Sequence, residues 1–320
     1  MRKLFLLAIL CAVWGSASTA MAADVKVKGF FDFGFGLYDG TSFMKHDGSE
    51  NFDAGQFFRS QFDIEASESL KGVAIFEVGV TNWGHGGGAT WGSENNVGPG
   101  SGGAMGADGV GVEMKHMYID WLVPQTDAQV RMGIQPFALP NAVWRGDYMN
   151  GGVVVDDDAP GILIEYPFNE NIGASVGWFR PWDPYVNDDF RSSNMVGNHY
   201  KSDEIDAFFL TLPIDVQDSF NLTPYFMYAS IGKIDTDPDI NGMLTQNGVI
   251  SYYLSSNGAL GDNGDAWWTG MAFSLTHFDP FNAYLDLIYG SYTASDVDPG
   301  YGTSNRNPDR DGWVAIGKLE

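Results

Sequence analysis

Residues 25–38 read VKVKGFFDFGFGLY, and the alternation within this stretch decides the fold. Its odd positions are Val25, Val27, Gly29, Phe31, Phe33, Phe35 and Leu37, none of them charged. Its even positions include Lys26, Lys28 and Asp32, followed by Gly34 and Gly36. Successive side chains of a strand point to opposite faces, so a period of two gives one apolar face and one polar face. A strand of a soluble sandwich usually runs about five or six residues. One tilted across a bilayer needs about nine to eleven. A stretch this long with so aromatic a face predicts a membrane-spanning strand.

The pattern recurs down the chain. Phe58, Ser60, Phe62, Ile64 and Ala66 alternate with Arg59, Gln61, Asp63 and Glu65. After the tight connection 67–72, Ala74, Phe76, Val78 and Val80 alternate with Ile75, Glu77 and Gly79. Residues 112–123 predict a fourth strand, and a fifth sets Val130, Met132 and Ile134 against Gln129, Arg131, Gly133 and Gln135. Further strands are expected near 162–166, 172–179, 205–212, 220–231, 267–278 and 283–292, with a last one from Trp313. Long connections (82–111, 136–161, 180–204, 232–265 and 293–312) alternate with short ones, which predicts long loops on one side of a membrane and tight turns on the other. Pro224 conflicts with a fully paired strand and calls for a bulge or a late start there.

Although 18% of all residues are charged, the clean strands keep every charge off the proposed outward row. A Lys or Arg facing lipid at mid-depth costs about 2–4 kcal/mol, enough to explain the exclusion. Glu113 and Lys115 break the rule on the fourth strand and are expected to sit above the hydrocarbon. Aromatic residues collect at strand ends: Trp178, Trp267, Tyr289 and Trp313 toward one rim, Trp121, Tyr166 and Phe168 toward the other. Amphipathic rings prefer the headgroup level. The fold class expected is all-β: a transmembrane antiparallel up-and-down β-barrel with about twelve strands.

The bulk numbers agree. Arg2 and Lys3 precede an apolar run over 4–14 and the small-residue site Ala20-Met21-Ala22, so residues 1–22 read as a cleaved secretory signal and 23–320 as the barrel. Cys11, the single cysteine, lies in that signal, leaving a mature chain without disulfides or thiolate metal sites. No run reaches the roughly eighteen apolar residues of a membrane helix. The formal charge of −24 argues against nucleic acid as a partner.

The sharpest functional candidate follows the fifth strand. Arg131-Met132-Gly133-Ile134-Gln135-Pro136 leads into a stretch ending at Gly161 that carries Arg145, Asp147 and the run Asp156, Asp157, Asp158. This resembles the bacterial trimeric porins, in particular their homotrimeric outer-membrane branch. The resemblance implies a location in the bacterial outer membrane, a homotrimer in outer-membrane lipid, and about sixteen strands in a full-length protein, some four beyond this chain. It also implies that the loop over 136–161 folds into the lumen as a constriction. The acidic residues would then face Arg59 and Arg131 across an eyelet, with Lys28 nearer the mouth. Opposed rows of charge filter solutes by size and sign. The plainer reading makes Asp156, Asp157 and Asp158 a solvated loop apex that binds nothing.

Other motifs are incomplete. Asp235, Asp237 and Asp239 have calcium-loop spacing, but Ile240 replaces the required glycine and Gln246 the bidentate glutamate, so at most a loosely held calcium ion is expected. The run over 307–312 has a glycine but Lys318 at its twelfth place. His85-Gly86-Gly87-Gly88 lacks any accompanying Gly-x-Ser-x-Gly elbow. No catalytic set and no cofactor motif emerges. The expected function is a water-filled channel for passive diffusion of small hydrophilic solutes and ions, mildly cation-preferring. A solute-specific channel remains open, as does a non-conducting outer-membrane enzyme or adhesin.

Overall fold

The computed structural model describes residues 23–38, 51–83, 112–143, 154–182, 204–216, 219–231, 264–278, 280–294 and 309–320. Residues 1–22, Arg145, Asp147 and the candidate calcium loop of Asp235, Asp237 and Asp239 lie outside them.

All described elements are strands of one antiparallel sheet. They are β1 (Asp24–Tyr38), β2 (Asn51–Ser67), β3 (Leu70–Asn82), β4 (Glu113–Leu122), β5 (Gln129–Ala138), β6 (Asp156–Pro167) and β7 (Gly173–Trp182). After them come β8 (Ile205–Thr211), β9 (Ile214–Val216), β10 (Phe220–Ile231), β11 (Gly264–Phe278), β12 (Phe281–Ala294) and β13 (Arg310–Leu319). Apart from β9, which pairs only with β10, each strand pairs with the next in an up-and-down meander, and long connections alternate with short ones as expected.

The strand expected over 205–212 is seen as β8, and the short turn expected after it holds an extra strand, β9, which brings the count to thirteen. Both β8 and β9 pair with β10, the ladder to β8 beginning at Tyr225↔Thr211 and that to β9 ending at Leu222↔Ile214. The break at Leu212-Pro213 faces Pro224, which has no N–H to give. Leu212 N–H still donates to the Pro224 carbonyl, at 3.0 Å. The irregularity that Pro224 demands is thus placed on the partner strand. Closure is not observed: β1 and β13 are the two edges of the described sheet.

Register tests the alternation directly. Val25, Val27 and Phe31 stand opposite Ile64, Phe62 and Phe58, and these in turn face Gly72, Ala74 and Val78. The row continues through Met117, Ile119 and Trp121 to Ile134, Met132 and Val130, then to Ile162 and Ile164, and to Trp178 and Val176. It ends in Met271 and Phe273 beside Leu287 and Leu285. The outward sets read from alternation therefore lie on one continuous face, and that face is open: Phe31 is 68% exposed and Val176 52%.

One expectation about this face is corrected. The β3–β4 ladder shifts between Ile75↔His116 and Phe76↔Met114, which leaves Lys115 as the extra residue of a bulge. Past it the parity reverses, so Met114 takes the outward place and Glu113 stands opposite Glu77 on the other face. Lys115 is tied to Asp158 rather than stranded above the sheet.

The opposite face is not uniform. On β1–β5 it is charged: Lys26 pairs with Glu65 at 2.8 Å, Lys28 and Lys71 lie 3.4 and 3.3 Å from Asp63, and Arg59 bonds Glu77. On β7–β12 it is apolar and buried, with Phe179, Phe209, Tyr225, Met227, Trp268 and Ile288 in one cluster. The expectation that this whole face lines water is therefore corrected for that half. Its cover is the segment flanking β5 and β6, whose Phe137, Leu139, Val154 and Val155 complete the cluster.

Candidate functional site: the inward-folded β5–β6 hairpin

The stretch expected as a loop over 136–161 is largely strand, because β5 runs to Ala138 and β6 begins at Asp156. Asp156, Asp157 and Asp158 pair with Ala138, Phe137 and Pro136 rather than forming a loop apex. What sets this hairpin apart is the loss of its other neighbours. The ladder to β4 ends at Met117↔Ile134, and that to β7 ends at Gly161↔Phe179. Beyond those points the hairpin pairs only with itself.

Two glycines mark the departure. Gly133 and Gly161 are cross-strand partners. Gly133 has φ of +131°, a conformation side chains rarely adopt, and a Cβ there would stand 2.2 Å from the Met117 carbonyl oxygen. At Gly161 a Cβ would meet the Trp178 carbonyl at 2.5 Å and the Phe179 ring at 2.6 Å. Gly133→Ala is expected to cost about 1–3 kcal/mol in urea unfolding from micelles, through strain at this φ alone. A cost below about 0.5 kcal/mol would show that the bend is not fixed there.

The freed hairpin lies over the inner surface of β7–β12. The Phe137 ring stacks on Phe179 with centroids 4.5 Å apart, and the Phe209 centroid is 6.2 Å away. Two carboxylates fasten it from opposite sides. Asp158 receives Lys115 Nζ at 2.7 Å and contacts His116 Nε2 at 2.6 Å, which ties the hairpin to β4. Asp286 of β12, only 2% exposed, accepts the N–H groups of Ala142 and Val143 at 2.7 and 2.9 Å. Ala142 follows Ile134, the last residue of β5 paired to β4, by eight positions, yet it meets a strand six steps farther along the sheet. At about 4.8 Å per step, a flat sheet would hold those strands about 29 Å apart. A flat sheet would demand an almost fully extended segment, whereas a curved sheet with the segment crossing its concave side makes the contact without it.

The residues predicted to oppose one another across an eyelet are placed differently. Arg59 bonds Glu77 and lies over the rings of Phe30 and Phe57, at 5.7 and 5.4 Å. Arg131 makes a two-point pair with Asp120 at 2.6 and 3.1 Å, its guanidinium 4.4 Å from the Tyr118 ring centroid. Both arginines are on the concave face, as expected, but each is engaged by a carboxylate of an adjoining strand. Of the acidic triplet, Asp158 is neutralised by Lys115, and an Asp157 oxygen accepts the Asp158 N–H at 2.8 Å. Asp156 is exposed and lines a cavity of about 550 Å³ with Pro136, Leu139, Asn141, Leu163, Glu165 and Phe209. Among the described residues no group of three His, Cys, Asp or Glu is arranged to hold a metal ion.

Asp286 and His116 also fasten the hairpin, and neither was picked out from the sequence. Asp286 was visible only as a carboxylate on the inward row of residues 283–292, and its partners are 143 and 144 positions away.

No protein-family model matches the chain, and no curated protein matches it. Among solved structures, the chain is similar to the outer membrane channel DcaP of Acinetobacter baumannii, at 12% identity over 86% of this chain and 80% of that one, with a TM-score of 0.35. A likeness that slight bears on neither solute nor assembly.

Proposed function

We propose that the chain is an outer-membrane channel that passes small hydrophilic solutes through a lumen narrowed by the β5–β6 hairpin, without chemistry on what it passes. The observation that carries this reading is the pairing of two surfaces in one sheet. An apolar row stands open on the convex side, its charged pair Arg180 and Asp206 lying at the strand ends, while a polypeptide segment crosses the concave side and is fixed to the far wall by Asp286. An exposed apolar surface of that extent needs lipid against it. A segment folded across the concave side serves to limit what passes.

Export by the signal over residues 1–22 and assembly as a homotrimer belong to the same reading, through the likeness to trimeric porins. The buried apolar cluster fills one half of the concave face and favours a narrow, solute-selective channel over a wide general one. Planar-bilayer recording of the purified protein is expected to show discrete conductance steps that close in threes. Reversal potentials in a salt gradient are expected to show mild cation preference, because the net charge is −24. A protein that inserts and passes no current would refute the channel, and single rather than triple closures would refute the trimer.

A further inference from the structure

We infer that the cavity between the inward-folded segment and the inner wall of β6–β8 binds a small organic cation, an ammonium or guanidinium carried on a partly apolar body. The inference rests on the channel reading and deepens it by naming a solute class. The cavity measures about 550 Å³, within the range of small-molecule sites. Two carboxylates of β6 line it, Asp156 where the strand runs in the hairpin and Glu165 where it runs in the wall, and among the described residues no lysine or arginine is part of the lining.

Their state contrasts with that of other carboxylates on the concave side. Asp63, Asp120, Asp158 and Asp286 are each held by a cation or by backbone N–H groups. Among the described residues no hydrogen bond or ion pair holds Asp156 or Glu165. Arg131, on the same face as Glu165, spends both its hydrogen bonds on Asp120 and reaches Glu165 only as a more distant charge. Two carboxylates on one cavity, neither in an ion pair, favour an entering cation.

The rest of the lining selects the kind of cation. Leu139, Leu163 and Phe209 give it an apolar side that a hydrated metal ion cannot use. No metal-ligating cluster is found among the described residues. Asn141 adds a buried side-chain oxygen with no hydrogen-bond partner, and leaving such an acceptor unpaired is costly until a donor reaches it. A donor-bearing, partly apolar cation meets all three demands.

The test is titration calorimetry on the full chain in detergent micelles, with phenethylammonium as probe and neutral 2-phenylethanol and anionic phenylacetate as comparators. The ammonium is expected to bind about tenfold or more tighter than either comparator, the difference a charge-assisted contact supplies. Asp156→Asn with Glu165→Gln is expected to abolish that advantage, while Asp24→Asn, on the edge strand β1 and outside the cavity lining, leaves it intact. If the double variant loses the heat-shifted gel mobility of a folded barrel, exposed Asp156→Asn alone carries the test with an expected weakening of about threefold or more. Equal binding of the three probes, or an ammonium advantage that survives in a folded variant, overturns the inference. Bilayer recording on the same preparation separates the two claims: current without ammonium preference sinks the site alone, and ammonium preference without current sinks the channel alone.

Discussion

Asp286→Ala is expected to raise single-channel conductance by about twofold or more, because it releases the far end of the segment that narrows the lumen. The wild-type carboxylate is almost wholly buried and accepts two backbone N–H groups, from Ala142 and Val143. Alanine leaves both donors without a partner in a place water reaches poorly. An unsatisfied buried donor costs about 1–3 kcal/mol, so with two donors roughly 2–6 kcal/mol of attachment is lost. Asp286→Asn retains one acceptor oxygen and is expected to fall between the two. Phe137 and Leu139 would still pack on β7–β12, so the segment should fluctuate rather than leave. Noisier open-state current should accompany the larger step. Unchanged conductance and noise in Asp286→Ala would show that the crossing segment does not set the width of the passage.

The second large effect concerns the convex face. Val176 lies on the outward row of β7, between Ile164 and Leu210 on the adjoining strands, with half its surface open. Val176→Arg is expected to destabilise the folded protein in lipid vesicles by about 2–4 kcal/mol, the cost of a cation at mid-depth in hydrocarbon. Gln61→Lys, on the charged concave face among Lys28, Asp63 and Lys71, loses the hydrogen bond that Gln61 donates to Asp63 at 2.8 Å and is expected to cost no more than about 1 kcal/mol. Reversible urea unfolding in vesicles gives both numbers. If Val176→Arg costs no more than the concave substitution, that face is in water.

The convex face was legible from the sequence because a strand's two-residue period is rigid. Once Phe31, Phe62, Met132 and Leu287 were assigned to it, pairing carried the assignment across every ladder. It failed locally where the period itself breaks. The bulge at Lys115 adds one residue and reverses the parity of Met114 and Glu113, and its one trace in residues 112–123 was the pair of charges, Glu113 and Lys115, on the outward parity. The gap between β8 and β9 was half legible, since Pro224 demanded an irregularity but could not say which strand would supply it.

The site was less legible, for a different reason. Alternation reports which way a side chain points from a wall, and the hairpin leaves the wall. Asp156, Asp157 and Asp158 looked like loop residues because a charged run seldom belongs to a strand interior. Strand pairing holds them nonetheless, and Lys115 offsets the charge of Asp158. The buried cluster did leave a trace. Residues 205–211 and 264–273 are apolar at both parities, as in Phe208 with Phe209 and Trp267 with Trp268. A strand apolar on both faces is covered on both. The arginines were placed on the right face, but their pairing with Glu77 and Asp120 depends on register, which alternation does not fix.

In the proposed channel, successive residues of one strand meet two different media. Single cysteines introduced at each position from Ala283 to Tyr292, spin-labelled and reconstituted in vesicles, report this through collisions with oxygen, which concentrates in lipid, and with a nickel chelate, which stays in water. Oxygen maxima are expected at Leu285, Leu287 and Tyr289, outward in the β11–β12 ladder. Collisions should fall for both reagents at Asp286 and Ile288, beneath the crossing segment. Nickel collisions as frequent at Leu285 and Leu287 as on a soluble protein's surface would place that face in water and rule out the channel.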